Sequence, residues 1–291
     1  MTNRKTAVLW AVLAAALYAL NAPFSKLLLG SVPPTLMAAL LYLGAGSGMA
    51  AVRLVQRRTG KTPAEAPLTR ADLPYTVGMV VLDIAAPILL MLGLNLTTAA
   101  NAALLNNFEI VATSLIALGL FGERISPRLW GAIVLVTVAS MVLSVEDRSS
   151  FSFSTGSVLV LLACTCWGLE NNCTRSISHK DPLEIVVIKG FGSGAGSLVI
   201  ALTLGERPGP PAAMLWALVL GFVAYGLSIF FYIYAQRDLG AAKTSAYYAL
   251  APFIGAGLSL LIFRQKPDAV FLTALVIMMA GTWLASTDHA A

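Results

Sequence analysis

Ten stretches of 17 to 24 residues, nearly free of charge, divide this chain from end to end. They are Ala7–Leu29, Thr35–Val55, Leu73–Leu94, Thr98–Phe121, Leu129–Val145, Thr155–Cys173, Leu183–Leu204, Ala212–Tyr234, Ala241–Phe263 and Ala269–Ala285. A helix needs about 20 apolar residues to cross the hydrocarbon of a bilayer. Ten such segments leave no room for a soluble domain, and the composition agrees: 58% of the residues are hydrophobic and 11% charged, against roughly one quarter charged in a soluble protein. The expectation is an all-α integral membrane fold with the lipid bilayer as its solvent.

The segments repeat. Tyr18, Asn21, Lys26 and Pro33 recur as Trp167, Glu170, Arg175 and Pro182, each pair 149 positions apart. Later in each half the offset becomes 142, matching Asp83 with Tyr225, Ala99-Ala100 with Ala241-Ala242 and Phe121 with Phe263. The long basic loop Gln56–Asp72, against its short counterpart Gly205–Pro211, accounts for the change. Five spans is an odd number, so two such halves must lie inverted in the membrane. The expected architecture is ten transmembrane helices as two inverted five-helix repeats, residues 1–148 and 149–291, around a central cavity in one integrated domain. Inverted repeats of this kind build one mid-membrane site between halves that exchange roles.

Charge supplies the orientation. With a cytoplasmic N-terminus, 13 of the 19 Lys and Arg residues fall inside and 5 outside, with Lys189 in a span; the positive-inside rule then puts both termini in the cytoplasm. The net charge of +5 is spread over short loops with no stripe of interleaved aromatics, so nucleic acid is not an expected partner. Ala7–Leu29 runs the length of a span and reads as a retained helix, not a removed signal peptide. Cys164, Cys166 and Cys173 share one helix, and Cys164 and Cys166, two residues apart, point to nearly opposite faces, so neither a disulfide framework nor a metal site is expected.

Small residues mark close helix approach: Gly44-Ala45-Gly46-Ser47-Gly48 in the second span and Gly192-Ser193-Gly194-Ala195-Gly196 in the seventh. A Gly-Ser-Gly run also suits an intramembrane serine nucleophile, but the two histidines, His179 and His289, both lie outside the spans, leaving the serine without a base. No catalytic residue, metal ligand or cofactor motif is assigned, and an enzyme is not expected. Pro23, Pro87 and Pro252 interrupt the helical hydrogen-bond ladder and mark candidate kinks beside a cavity or gate.

The polar residues within spans carry the functional reading. The fourth span has ten Leu, Ile, Phe or Val residues, which offer about 3–6 kcal/mol toward insertion. Glu109, Asn101, Asn106 and Asn107 can cancel most of that, so this polar face must meet other helices or water. Asp83, Glu109, Glu170 and Lys189 are the ionisable residues at membrane depth, where such groups line pathways and sites or pair with one another. Glu170 and Lys189 form a candidate coupling element or structural ion pair; an alternative partner for Lys189 is Asp83. The repeat places Asp83 with Tyr225, Glu109-Ile110 with Ala251-Pro252, and Tyr18 with Trp167 at similar depths. The candidate substrate-binding or gating residues are therefore Tyr18, Asp83, Asn101, Glu109, Trp167, Tyr225, Tyr247, Tyr248 and Pro252. Their rings can stack on a flat substrate while hydroxyls bond its polar ends.

Thr97-Thr98-Ala99-Ala100 leading to Phe108-Glu109, then Phe121-Gly122-Glu123-Arg124-Ile125-Ser126 and Gly131, resemble the fourth and fifth helices of the EamA family of the drug/metabolite transporter superfamily. In this chain the family's Glu-Pro pair is divided between Glu109-Ile110 and Ala251-Pro252. The resemblance implies two five-helix repeats and ten spans. It is nearest to bacterial aromatic amino-acid exporters, which implies a multi-pass protein of the bacterial inner membrane exporting amino acids or related metabolites by alternating access. Other members of the family carry other amino acids, nucleosides and cationic drugs, and those small molecules are the alternative substrates. A passive pore or receptor is the remaining alternative. Spans one, three, four, six, eight and nine are expected to surround the cavity. One chain holds both halves, so no oligomer is required.

Overall fold

A computed structural model describes residues 4–59, 66–122, 125–147, 152–239 and 247–287. Its helices are α1 (Arg4–Ala19), α2 (Asn21–Leu28), α3 (Pro34–Arg58), α4 (Leu73–Leu96), α5 (Ala99–Leu105), α6 (Phe108–Phe121), α7 (Pro127–Ser144), α8 (Thr155–Ile177), α9 (Pro182–Thr203), α10 (Pro211–Gly221), α11 (Ser228–Leu239), α12 (Ala251–Ile262) and α13 (Ala269–Ser286). A short antiparallel pairing of β1 (Val145–Asp147) with β2 (Ser152–Phe153) flanks the expected boundary between the halves, which itself falls outside the described residues.

Eight helical spans among the described residues are long and apolar enough to cross a membrane. Their outer faces leave large apolar side chains uncovered, among them Leu9, Val55, Leu120, Val134, Leu202 and Trp283. A surface so apolar needs lipid, not water, beside it. Two of the ten expected spans are not among the eight. The sixth, α8, has 23 residues, but Glu170, Asn171 and Asn172 dilute its apolar character. The ninth, whose residues 240–246 lie outside the described part, is broken at Ala249-Leu250, two residues before Pro252, which separates helical Tyr247-Tyr248 from the 12-residue α12.

Besides the ninth, three expected continuous helices are interrupted near their middles. The first breaks at Leu20, three residues before Pro23. With no N–H, Pro23 cannot bond the carbonyl of Ala19, so the ladder opens there. The fourth breaks at Asn106-Asn107, where no proline occurs. Here the Asn107 amide donates to the Leu104 carbonyl at 3.1 Å, a side-chain bond that competes with the helix ladder. The eighth passes through a π-helical turn, Phe222–Leu227, which carries Tyr225; such turns insert an extra residue and re-aim side chains. Pro87, by contrast, lies inside an uninterrupted α4.

Packing pairs the two halves. α3 crosses α9, α4 lies along α8, α1 along α11, α5 against α12, and α7 against α13. At the α3–α9 crossing a Cβ on Gly190 would sit 2.3 Å from the Gly46 nitrogen, so only glycine permits this approach. Ser193, in the run with a serine-nucleophile look, spends its hydroxyl on the Val80 carbonyl at 3.2 Å. Charged groups fasten the ends. Lys26 caps the C-terminus of α4, its ammonium 2.6 Å from the Leu94 oxygen and 2.8 Å from that of Thr97. Glu206 accepts from the N–H groups of Thr35 and Leu36 at the start of α3, at 3.2 and 2.7 Å. Where α3 ends and α4 and α9 begin, Arg53 pairs with Asp181 at 2.7 Å and Lys180 with Asp72 at 3.2 Å.

Candidate functional site

The glycine crossing of α3 and α9 draws Tyr42 and Lys189 inward to meet α4 and α8. Lys189 extends its ammonium between two carboxylates, 3.0 Å from Asp83 Oδ2 and 2.9 Å from Glu170 Oε1. Asp83 Oδ1 also accepts from the Tyr42 hydroxyl at 2.8 Å and the Trp167 indole N–H at 3.2 Å. Thr174 donates its hydroxyl to Glu170. Asp83 is 0%, Glu170 2% and Lys189 6% exposed. Charges so deep persist only when paired and hydrogen-bonded, and this group meets that condition with donors from three helices, α3, α8 and α9.

A neutral network lies across from it. Ser25 donates to Asn21 at 2.9 Å, and the Asn21 amide donates to the Tyr225 hydroxyl at 3.0 Å. Tyr225 also touches the charged group through Tyr42, ring centroids 5.1 Å apart. Around it the rings continue: Tyr18 meets Tyr225 edge-on at 5.9 Å and Tyr248 at 5.7 Å, and Tyr232 meets Tyr248 at 4.9 Å. Ser228 donates to the Ala14 carbonyl at 2.9 Å and shares a hydrogen bond with the Tyr248 hydroxyl at 3.4 Å.

Glu109 stands apart from both. It sits in the first turn of α6, accepts from the Asn171 amide at 2.6 Å, and has no basic group within ion-pair distance among the described residues. Unlike Asp83 it is partly exposed. Nearby, Tyr18, Ala19, Asn21, Ala22, Ala103, Asn106, Ala251, Pro252 and Gly255 enclose a cavity leaving about 10 Å³ for the centre of a water molecule, room for about one water. Its walls come from the break between α1 and α2, the break between α5 and α6, and the start of α12.

The expected site residues thus separate. Tyr18 and Pro252 line the cavity; Tyr225 and Tyr248 form the ring cluster beside it; Asp83, Trp167, Glu170 and Lys189 make the charged group; Glu109 lies alone. Asn101 gives its backbone N–H to Thr98 as a helix cap, and its side chain joins none of these clusters. Tyr247 is half-buried and makes none of the ring contacts. Sequence reasoning gave no role to Tyr42, Asn171 or Thr113, and noted Asn21 only as the repeat partner of Glu170. Spans two and seven, expected as packing helices, contribute Tyr42 and Lys189. The cavity that Tyr18 and Pro252 line among the described residues has room for about one water.

An apolar-surfaced helical bundle with interrupted helices at one cavity and charged groups buried beside it is the class of a membrane transporter. The sequence matches the EamA-like transporter family over residues 5–145 and 154–287, and the chain belongs to that family. It is 27% identical over 283 residues to an uncharacterised transporter of Methanothermobacter thermautotrophicus, covering 92% of this chain and 82% of that one. It is 22% identical over 210 residues to the uncharacterised transporter YyaM of Bacillus subtilis, covering 68% of each. An uncharacterised transporter of Archaeoglobus fulgidus is 27% identical over 214 residues, covering 68% of this chain and 70% of that one. A crystal structure with 19% identity shares the fold, with a TM-score of 0.69 over 97% of both chains.

Proposed function

We propose that this protein is a secondary transporter of the bacterial inner membrane that exports amino acids, aromatic ones foremost, by alternating access. In this reading ten spans form two inverted repeats, residues 1–148 and 149–291, with both termini cytoplasmic. The packing pairs support inversion: α4 with α8 has α11 with α1 as its counterpart, and α3 with α9, α5 with α12 and α7 with α13 each join equivalent segments.

The observation that carries the proposal is the meeting of interrupted helices at one cavity walled by Tyr18, Asn21, Asn106 and Pro252. Broken helices in a bilayer free backbone groups for a solute at mid-depth. The rings of Tyr18, Tyr225 and Tyr248 offer faces for a flat side chain. Amides of Asn21 and Asn106 suit a carboxylate, and Glu109 suits an ammonium group. Asp83, engaged by three donors, fixes the frame that holds these groups. A water-sized space fits a closed state, which alternating access requires between its two open ones.

Counterflow of radiolabelled phenylalanine and tryptophan into proteoliposomes tests the assignment. Saturable exchange of either is expected. Exchange of another solute but of neither amino acid removes the substrate assignment, and unsaturable flux makes the protein a pore.

A further inference from the structure

Four ionisable side chains lie at membrane depth, three acidic and one basic, and their partners are unequally shared. Asp83 receives Tyr42, Trp167 and Lys189; Glu170 receives Lys189 and Thr174. Glu109 receives one neutral amide, from Asn171. Further compensation comes from its place in the first turn of the 14-residue α6, where the helix dipole favours negative charge in part, and from the more distant Lys189. The groups facing it electrostatically are Glu170 and Cys164 from α8, Lys189 from α9, Tyr18 from α1, Tyr225 from the π-helical turn and Tyr248 at the start of the ninth segment. α7, also packed on α6, has Arg128 as its one ionisable residue, in its first turn. Lys189, the cation among these, is held by Asp83 and Glu170. Glu109 is therefore the acid whose charge is left for something else to balance, and it is the one with an exposed edge.

We propose that Glu109 is the charge-exchange site of this protein: it holds a proton while the site is empty and yields it when a substrate ammonium group takes its place. The identity of the ammonium rests on the amino-acid reading above; the proton does not. Binding breaks the carboxyl O–H bond, the proton passes to water on the open side, and the carboxylate pairs with the incoming cation. Release reverses the step, so each amine leaving the cell is exchanged for one proton entering. Asp83 and Glu170, fastened to Lys189, take no part in the exchange.

Infrared difference spectra of the full-length protein in lipid, recorded between acidic and alkaline buffer without substrate, test the proton directly. A protonated-carboxyl band that titrates in the natural protein is expected to vanish in Glu109→Gln and to persist in Asp83→Asn and Glu170→Gln, each checked for folding by its thermal transition. A band that survives in Glu109→Gln, one lost only in Asp83→Asn or Glu170→Gln, or no titrating band at all overturns the proposal. In proteoliposomes an imposed pH gradient should drive accumulation of phenylalanine or tryptophan by the natural protein. Glu109→Gln should lose that accumulation, with counterflow weakened and no longer sensitive to pH; accumulation that persists in the variant overturns the exchange. Absence of counterflow by the natural protein removes the amino-acid reading alone, because the infrared result still decides the role of Glu109.

Discussion

Two hydrogen-bonded chains, each bridging both halves and related by the sequence repeat, differ in charge. On one side Ser25 donates to Asn21 and Asn21 to Tyr225. Moving Ser25 and Asn21 forward by 149 positions and Tyr225 back by 142 gives Thr174, Glu170 and Asp83, and there Thr174 donates to Glu170 while Lys189 joins Glu170 to Asp83. The ring contact of Tyr18 on Tyr225 is likewise matched by the Trp167 indole on Asp83. Backbone positions are kept while chemistry is exchanged. Two carboxylates cannot share a dry site without a counter-ion, and Lys189 supplies it where the equivalent first-half position, Leu40, has none to supply. The same correspondence explains the cavity. Glu109, Asn171 and Thr113 fill one side with a hydrogen-bonded set, whereas their counterparts Ala251, Ala22 and Gly255 are too small and leave a space. The charged chain is a joint, and the neutral chain is where there is room.

The comparison breaks most visibly at Lys189. Lys189→Met leaves Asp83 and Glu170 buried and uncompensated, and should destabilise the protein by about 3–5 kcal/mol, read as a fall in thermal transition temperature in lipid nanodiscs. Adding Asp83→Asn and Glu170→Gln to that variant makes the charged chain as neutral as its counterpart, and should recover most of the loss. A triple variant no more stable than the single one means the joint is held by shape, not by charge. A smaller effect is expected at Tyr42, whose hydroxyl supplies one of three donors to a charged acceptor. Tyr42→Phe should cost about 1.5 kcal/mol by the same measurement, with the remaining donors Trp167 and Lys189 limiting the loss.

How much of this could be read beforehand varies with the kind of interaction. The apolar segments and the 149 and 142 offsets are local facts of composition and spacing, and they led to Asp83, Tyr225, Tyr18 and Trp167 without any coordinates. Tyr42 could not be reached that way. Its meeting with Asp83 depends on how closely α3 approaches α9, and the Gly46–Gly190 contact that sets this was legible only as a tendency of small residues to pack. Lys189 had two candidate partners in the sequence and takes both in space. The Asn106-Asn107 doublet was weighed for the cost of burying amides, while its stronger consequence is local: an asparagine side chain that bonds the Leu104 carbonyl ends the helix. The π-helical turn under Tyr225 has no comparable signal, since Phe222–Leu227 contains nothing that a plain helix would refuse.

The finest test matches Tyr42→Phe with Tyr225→Phe, because each removes one hydroxyl from one of the two chains and keeps the ring. Tyr225 receives the Asn21 amide, and both groups are neutral. Without the hydroxyl, Asn21 still accepts from Ser25 and can turn its amide toward the cavity it lines, where a water can replace the lost partner. The expected cost is about 0.6 kcal/mol, the mean for hydrogen bonds inside membrane proteins, and so less than half that of Tyr42→Phe. Thermal transitions of the two variants under one condition decide it. Equal losses mean that charge on Asp83 adds nothing to the Tyr42 bond and that the two halves differ only in composition; a larger loss at Tyr225 means that the neutral chain, not the charged one, is the joint.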